Sequence, residues 1–514
     1  MPKVSINALV EVFFQVGTQV LSDPVAVAKK IDRKIGSRKI SKILRTSAGN
    51  AEKSEARYYL DTGQYSRVAT ARTRGVGQKL ERRILKRTAT DQLILLNAEI
   101  FSSVDRTEAP ETEKPLFVLT SSLPFTQSGY SVRSHKLLKA LNDVGIAVSA
   151  VTRFGYPASI GALPSSKVSE VEGVKYIQNS SWRSPRSVSK QIEIAVDGLV
   201  RIARAEQATL LHTTTDFKNA IVVSRAARIL GIPWVYEIRG EIEKTWLTRQ
   251  TANIQETARE SEHFRLSEKQ EAAARDSAAA VFAISDQIRM RLIEEGTRSE
   301  KLILLPNGID RIAFPSGPST NRLAEVPGLA NAELIIGTIT AVVDYEGLDH
   351  LVQAMLQLPS SVHCLIVGDG EAKTSLENLA VELGIDDRVH FAGRKAPAEI
   401  EGWYSTLDVF VVPRKDTEIG RSVTPIKAMQ AQAMGIPVIA SDLPALREVT
   451  GGFATYVQPE DPTALAEATE RFLRTKDAEI VDLRALESWL RGRTWESNAE
   501  RILSTYRRLP SNSQ

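Results

Sequence analysis

The sequence predicts an α/β protein in which two Rossmann-like domains follow a basic, mainly helical extension. Three observations support this class. Strand-like and helix-like segments alternate from Pro115 onward, a second alternation starts near residue 334, and a stretch rich in Pro, Ser and Gly separates the two at residues 315–333. Such alternation produces parallel sheets covered by helices. The 514 residues exceed one ordinary core, in agreement with two or three domains.

The composition is that of a soluble globular protein, with 42% apolar and 25% charged residues. The single cysteine, Cys364, allows no internal disulfide and indicates a reducing compartment. No run of 18 apolar residues predicts a membrane-spanning helix, and the N-terminus lacks the pattern of a signal peptide. We therefore expect a cytoplasmic protein.

The first 100 residues carry 19 Lys and Arg against 9 Asp and Glu, although the net charge of the whole chain is only +4. Residues 4–21 have a helical apolar stripe, and residues 29–45 contain eight Lys and Arg. Residues 1–45 could lie on an anionic membrane, or the stripe could pack on the body of the protein. Residues 56–71 fit one helix–turn–helix unit, which must lean on neighbours. No basic motif with interleaved aromatic residues indicates nucleic-acid binding.

Each element of the two alternations follows from its apolar pattern. The first series of strands is PLFVL, AVSAV, ATLLHT, WVYEI, VFAIS and KLILL, and the second is ELIIGTIT, HCLIVG, VHFAG, VFVVP and PVIAS. Helical segments lie between them. The predicted boundaries are 1–112 for the extension, 113–318 and 319–494 for the two Rossmann-like domains, and 495–514 for a closing helix.

Polar residues at predicted strand ends are the candidate functional residues of the first domain. Glu237 and Arg239 follow a buried strand, and His212 ends the strand before it. An ion-pair cluster that steadies a loop, or a structural histidine, would explain these residues equally. Gly129 precedes a helix, where free N–H groups favour anions, but a plain strand-to-helix turn also uses glycine.

The order of several motifs resembles the family-four glycosyltransferases, which are retaining enzymes of the GT-B fold, and in particular the group 1 proteins of bacterial surface-polysaccharide synthesis. The resemblance runs from about Leu116 to Arg508. The motifs that carry it are SGYSVRSHKLLKAL, VYEIRGEIEKTW, VFAISDQIRMRLIEEG, LLPNGID, YEGLDHLVQAM, the run from IVGDGE to VFVVP, VTPIKAMQAQAMGIPVIASD and the tail TWESNAERILSTYRRL.

The resemblance implies that a nucleotide-diphosphate sugar binds the C-terminal domain and a glycan or lipid-linked acceptor binds the N-terminal domain, in the cleft between them. It implies a closing helix that returns to the N-terminal domain, no metal or other cofactor, and a protein that is cytoplasmic or peripheral at the inner membrane face. The implied catalytic residues are Arg239, Glu237 and His212. The implied donor-binding residues are Gly368, Gly393, Arg394, Arg421, Thr424, Lys427 and Gln430, and Gly129 and Tyr130 belong to the acceptor-side loop.

The chain departs from the family pattern where relatives hold the donor diphosphate with an Arg and a Lys. Thr338 stands in the Arg-like place and Glu346 in the Lys-like place of the loop GTITAVVDYEG. A carboxylate that faced the phosphates would repel them, since phosphates favour fixed cations. Lys427, Arg421 or Arg414 could supply the positive charge instead.

A second departure is Gln430, which stands where relatives have the Glu that binds the donor ribose. An amide lacks the carboxylate charge but still accepts and donates hydrogen bonds, so we expect donor binding that is weaker by roughly 1–2 kcal/mol. Gln432 should point away from Gln430, as surface or packing. These combined losses leave open a second hypothesis, a catalytically weakened GT-B-like partner or scaffold in polysaccharide assembly.

Overall fold

The computed structural model describes residues 54–510, apart from 107, 109, 163, 182–184, 186, 315–325, 327 and 476–481. The apolar stripe and basic run of residues 1–45 lie outside the described residues. The described residues form two compact units. The first reaches Ile284 and adds Leu292–Leu305 and the chain from Ala499, and the second comprises Ser285–Arg291 and Pro306–Asn498. The boundaries predicted from the sequence stay predictions.

Three helices of the N-terminal extension belong to the first unit: α1 (Glu55–Asp61), α2 (Tyr65–Val68) and α3 (Gly75–Leu96). The helix–turn–helix predicted at residues 56–71 is confirmed by α1 and α2. The pair leans on a later part of the unit, because Tyr65 Oη lies 2.8 Å from His263 Nδ1 and the His263 N–H donates to the Gly63 carbonyl. Ala56, Tyr65 and Val68 of the pair are buried.

The sheet of the first unit has eight strands in the order β3-β4-β2-β1-β5-β6-β7-β8. All neighbours pair in parallel except β3 and β4, which form an antiparallel edge. The strands are β1 (Pro115–Leu119), β2 (Ser149–Thr152), β3 (Val168–Val171), β4 (Val174–Gln178), β5 (Leu210–Thr214), β6 (Trp234–Ile238), β7 (Val281–Ala283) and β8 (Leu302–Leu304). The central strands β1, β5, β6 and β7 are buried along their whole length, as a sheet covered on both faces requires.

The sheet of the second unit has six strands, all paired in parallel, in the order β11-β10-β9-β12-β13-β14. They are β9 (Leu334–Ile339), β10 (Val362–Val367), β11 (Val389–Gly393), β12 (Val409–Val412), β13 (Val438–Ser441) and β14 (Thr455–Val457). Successive residues of β9 belong to two separate hydrophobic clusters, with Ile335 in one and Ile336 in the other. The period of two along a strand thus fills a core on each face of this sheet.

Helices alternate with the strands in both units. In chain order the remaining helices are α4 (Gly129–Asp143), α5 (Val188–Ala205), α6 (Phe217–Leu230), α7 (Ile242–Thr248), α8 (Gln255–Arg259), α9 (Glu262–Ser277), α10 (Asp286–Glu294), α11 (Leu348–Ala354), α12 (Lys373–Glu382), α13 (Ile400–Ser405), α14 (Glu418–Ser422), α15 (Ile426–Ala433), α16 (Pro444–Thr450), α17 (Pro462–Thr475), α18 (Leu483–Arg491) and α19 (Trp495–Arg507). Within residues 54–510 and their stated gaps, no helix is both long and apolar enough to cross a bilayer.

Candidate functional site

A small pocket opens in the first unit where three parallel strands end. Its volume is about 150 Å³. The pocket is lined by Leu119, Thr120, Ser121, Tyr130, Ser134, Thr214, Thr215, Arg239 and Ile242. These residues end or follow β1, β5 and β6 or lie on α4 and α7. The carboxyl ends of parallel strands are where α/β sheets bind ligands. Two residues predicted from the sequence, Tyr130 and Arg239, therefore share one pocket.

Glu237, the fourth residue of β6, is a fully buried carboxylate held between two arginines. Its Oε1 accepts hydrogen bonds from Arg133 Nε at 3.0 Å and Nη2 at 2.7 Å, and its Oε2 accepts from Arg239 Nη2 at 2.6 Å. Burial alone would raise the pKa of Glu237, but the two guanidinium groups outweigh it and hold this pKa well below its usual range. The carboxylate is thus ionised at neutral pH.

Arg239 is fixed by further hydrogen bonds. Its Nη1 donates to Ser134 Oγ at 2.6 Å and to the Tyr130 carbonyl at 3.2 Å. Its Nε has no hydrogen-bond partner among the described residues. The guanidinium is thus held beside the pocket by Glu237, Ser134 and the Tyr130 carbonyl.

His212, in β5, is fully buried and lies between two aromatic rings. The imidazole is stacked on Phe117 with ring centroids 4.3 Å apart and on Phe282 at 5.2 Å. Its Nδ1 lies 2.6 Å from Tyr506 Oη, at the end of α19, and its Nε2 is 3.6 Å from Glu237 Oε2. Burial lowers the pKa of His212, so the ring is neutral near pH 7.

The structure brings the three predicted catalytic residues together and distinguishes their positions. His212 and Glu237 have no exposed surface, whereas Arg239 lines the pocket. Their catalytic role stays a prediction, and within this arrangement Arg239 is the member placed to touch a ligand. Arg133 was not predicted from the sequence. Its position could have indicated burial, because Arg133 lies at steps of four residues from Leu137 and Leu141 on the apolar face of α4.

Gly129 and Tyr130 begin α4 beside the pocket. A Cβ on Gly129 would meet no atom, so the local fold does not require a glycine there. The helix start is capped by Ser128, whose Oγ accepts from the Ser131 N–H at 3.3 Å. Tyr130 is 53% exposed. The acceptor-side assignment of both residues stays a prediction.

In the second unit, two predicted donor-binding glycines lie side by side where β10 and β11 end. The Gly368 N–H donates to the Gly393 carbonyl at 3.0 Å. Gly368 has φ +146°, and a Cβ there would overlap the Thr340 carbonyl oxygen. The tight approach of two loops therefore explains this glycine without a ligand. Arg394 is exposed and follows Gly393.

Glu346 and Arg414 form a buried ion pair, which corrects two expectations from the sequence. Glu346 accepts hydrogen bonds from Arg414 Nη2 at 2.8 Å and Nε at 3.1 Å, and Arg414 Nη1 donates to the Val423 carbonyl at 2.6 Å. The carboxylate thus faces an internal guanidinium instead of an open phosphate site. Arg414, conversely, is no substitute cation for phosphates, because its charge is already paired within the fold.

The other two cations considered for the phosphates differ from each other. Arg421 is exposed and pairs with Asp416. Lys427, in the first turn of α15, is partly buried, and no carboxylate of the described residues lies within ion-pair distance of its ammonium. Burial lowers the pKa of Lys427, as expected for an ammonium group without a counter-ion.

Gln430 lies three residues after Lys427, so both project from the same side of α15, and Thr424 precedes the helix. All three side chains are partly exposed. Gln432 is different, because its buried amide nitrogen donates to the Thr450 carbonyl at 3.1 Å and the Phe453 carbonyl at 2.7 Å. Of the two alternatives predicted for Gln432, packing is therefore confirmed.

Comparison with known proteins places this fold in a family. Residues 128–308 match the family model described as glycosyl transferase 4-like domain, and residues 333–475 match the one described as glycosyl transferases group 1. The chain therefore belongs to the group 1 glycosyltransferases and has the GT-B fold, as the sequence motifs implied.

One curated relative is the D-inositol 3-phosphate glycosyltransferase of Corynebacterium urealyticum. It is 27% identical over 249 residues, which are 45% of this chain and 58% of the relative. The chain thus spans little more than half the length of this relative.

Two solved structures share the fold. The complex of Anabaena HepE (Alr3699) with UDP aligns with a TM-score of 0.57 at 18% identity, over 76% of this chain and 99% of that one. Sucrose-phosphate synthase from Thermosynechococcus elongatus aligns with a TM-score of 0.57 at 22% identity, over 77% and 99%.

Proposed function

We propose that this protein is a retaining glycosyltransferase that moves a sugar from a nucleotide-diphosphate sugar to a glycan, lipid-linked or other glycoconjugate acceptor. Family membership supports sugar transfer, and the name of the Corynebacterium relative describes that activity. The structural neighbour HepE was solved with UDP, which supports a nucleotide-linked donor. The donor binds the second unit and the acceptor binds the first.

Lys427 is the single observation that carries the donor site. It is a partly buried ammonium without a carboxylate partner in the described chain, three residues before Gln430 on one side of α15. An anionic diphosphate supplies a counter-ion for the Lys427 ammonium. The ion pair compensates for the hydration that the ammonium loses on burial. The Gln430 amide then lies within one helical turn, where it can hydrogen-bond the ribose hydroxyls.

The acceptor occupies the pocket beside Arg239. Two arginines, one glutamate and a neutral histidine leave the buried network around it with a positive charge. This excess favours an acceptor that carries an anionic group, such as a phosphate. The name of the Corynebacterium relative contains a phosphorylated polyol, D-inositol 3-phosphate, which supports the same chemistry. Glu237, Arg133 and His212 act as positioning residues for Arg239.

The proposed reaction needs no protein nucleophile. The bond between the anomeric carbon and the diphosphate oxygen breaks, the acceptor hydroxyl oxygen forms the new bond on the same face, and the hydroxyl proton passes to the leaving diphosphate. Lys427 stabilises the charge that develops on the diphosphate. This scheme uses no metal ion. We further propose a cytoplasmic protein that is peripheral at the inner membrane face, with residues 1–45 contributing to the contact.

One observation favours the alternative of a catalytically weakened partner or scaffold in polysaccharide assembly. Glu346 neutralises Arg414 inside the fold, in the loop where the family pattern has cations for the diphosphate. The proposed donor site therefore has fewer cations for the diphosphate than the family pattern predicts. Diphosphate binding then depends more on Lys427.

A donor screen distinguishes the two functions. The full chain is incubated with UDP-, GDP- and ADP-sugars and a panel of phosphorylated and neutral glycan acceptors, and released nucleotide is quantified. The transferase predicts turnover with at least one donor and a product whose anomeric configuration, read by NMR coupling constants, matches the donor. Absence of turnover, together with an unchanged melting temperature with every donor, would support the scaffold.

A further inference from the structure

Helix α3 presents an apolar stripe on its outward side. Val76, Leu80 and Ile84 are 83%, 60% and 36% exposed, and they follow one another at steps of four residues. Side chains at this spacing lie on the same side of a helix. Three large apolar groups are therefore aligned at the surface, where scattered single residues would need no explanation.

A row of cations runs beside this stripe. Lys79, Arg83, Lys86 and Arg87 are all exposed, and helical spacing places them next to the three apolar residues. Of the two acids of α3, Glu81 contacts Arg57 at 3.5 Å. Asp91 is partly buried four residues after Arg87, and the charge of Arg87 opposes the rise that burial causes in the pKa of Asp91. We define the outward face of α3 as Val76, Lys79, Leu80, Arg83, Ile84, Lys86 and Arg87.

The opposite side of α3 anchors the helix in the first unit. Leu85, Ala89 and Leu96 are buried there. Arg82 Nη1 donates to the Ala71 carbonyl at 2.9 Å, and Gln270 Nε2 donates to the Leu96 carbonyl at 2.9 Å. Because this side is held, the outward face of α3 keeps its orientation toward solvent.

We propose that the outward face of α3 binds an anionic phospholipid surface. Apolar side chains that enter the headgroup layer beside cations that meet lipid phosphates are the features of a helix lying in a membrane interface. An RNA or an acidic protein would pair with the cations but leave the apolar stripe without a matching surface. This helix precedes both segments that match the family models, so the proposal is independent of the sugar-transfer chemistry.

Vesicle binding of the full chain tests whether the cations of the outward face of α3 interact with lipid phosphates. Sedimentation is measured with vesicles of phosphatidylcholine and phosphatidylglycerol at 3:1, and with phosphatidylcholine alone. Replacing Lys79 and Arg83 together by Gln should lower the partition coefficient on anionic vesicles about 30-fold. The control replaces Arg265 and Lys269, two exposed cations at the same spacing on α9. Equal losses in both double variants would overturn the proposal.

A fluorescent label tests contact at the apolar stripe itself. An environment-sensitive dye is attached to Leu80→Cys, with Val381→Cys as the control because Val381 is 62% exposed in the second unit. Native Cys364 is fully buried, which raises the pKa of its thiol to about 12 and protects it from labelling. The proposal predicts a blue shift at position 80 on anionic vesicles and none at position 381. Binding without a shift at position 80, or a shift before vesicles are added, would overturn it, the latter because another part of the chain would already cover the stripe.

Discussion

Glu346 and Arg414 lie 68 residues apart in the chain and form an ion pair at 2.8 Å that is almost completely buried. The pair explains why a carboxylate stands in a loop where phosphate-binding cations were expected. The charge of Arg414 is neutralised inside the fold, and the proposed donor site therefore relies on Lys427 as its cation.

Removing Arg414 should strongly destabilise the second unit. Arg414→Met leaves the carboxylate of Glu346 buried without a partner, which costs about 3–5 kcal/mol of the free energy of unfolding. Arg421→Met is the matched control, since its exposed pair with Asp416 should contribute less than about 1 kcal/mol. Urea unfolding measures both, and similar losses would contradict the buried pair.

Gln430→Glu should tighten nucleotide binding. A carboxylate replaces a neutral hydrogen bond to the ribose by a charge-assisted one, which strengthens binding by about 1–2 kcal/mol, or roughly 5- to 30-fold. Calorimetric titration with UDP, GDP and ADP measures the change. Gln432→Glu is the control and should lower stability without tightening binding, because that amide is buried. If the affinity of Gln430→Glu for every nucleotide equals that of the wild type, residue 430 does not contact the ribose.

Arg239→Lys should impair transfer while sparing the donor site. Lysine keeps the charge but cannot bond Glu237, Ser134 and the Tyr130 carbonyl at once, so we expect a loss of kcat/KM of about 100-fold. The dissociation constant of the nucleotide should stay within twofold. The exposed Arg249→Lys serves as control. A variant with full turnover would show that Arg239 only steadies its loop.

The contribution of Glu271 to the stability of the first unit should fall as pH rises from 5 to 8, whereas buried His212 and His263, whose pKa values burial lowers, add stability over the lower part of that range. Burial raises the pKa of Glu271 to about 8, so the folded state holds a proton that the unfolded state releases near its ordinary pKa. The stabilisation is complete below the unfolded pKa and is lost as pH rises through the folded one, a change on the order of 3 kcal/mol. Glu271→Gln should flatten the profile. Glu260→Gln, on the surface, should leave it unchanged.

A residual slope should remain in Glu271→Gln, because burial also raises the pKa of Glu243 to about 7. Urea unfolding at several pH values separates the two carboxyl groups. An equally steep profile in the Glu271 variant would assign the whole effect to other groups.

The fold was readable from the sequence where strands are apolar throughout. The five strands predicted for the second domain correspond to β9 through β13, since a parallel sheet buried on both faces leaves continuous apolar runs. The β3–β4 hairpin was missed because β3 has only four residues, two of them polar, and none of the four is buried. β14 has only three residues, too few for a pattern.

The candidate site was only partly readable, because its contacts join residues far apart in the chain. Arg133 meets Glu237 across 104 residues, and His212 meets Tyr506 across 294. Residue type indicated that Glu237 and Arg239 were polar groups at a strand end. The burial of Glu237 is what assigns it a positioning role and not ligand contact. This burial depends on packing between segments far apart in the chain, so a local sequence pattern does not show it.

The proposed donor site depends most on Lys427, and nucleotide titration of Lys427→Gln tests this site most directly. UDP, GDP and ADP are titrated into the wild type, into this variant and into Lys415→Gln, whose ammonium already pairs with Asp344 and Asp349. We predict that at least one nucleotide binds the wild type and Lys415→Gln with similar affinity, and that Lys427→Gln binds it about tenfold or more weakly. Equal affinity for wild type and Lys427→Gln would contradict a donor site at Lys427.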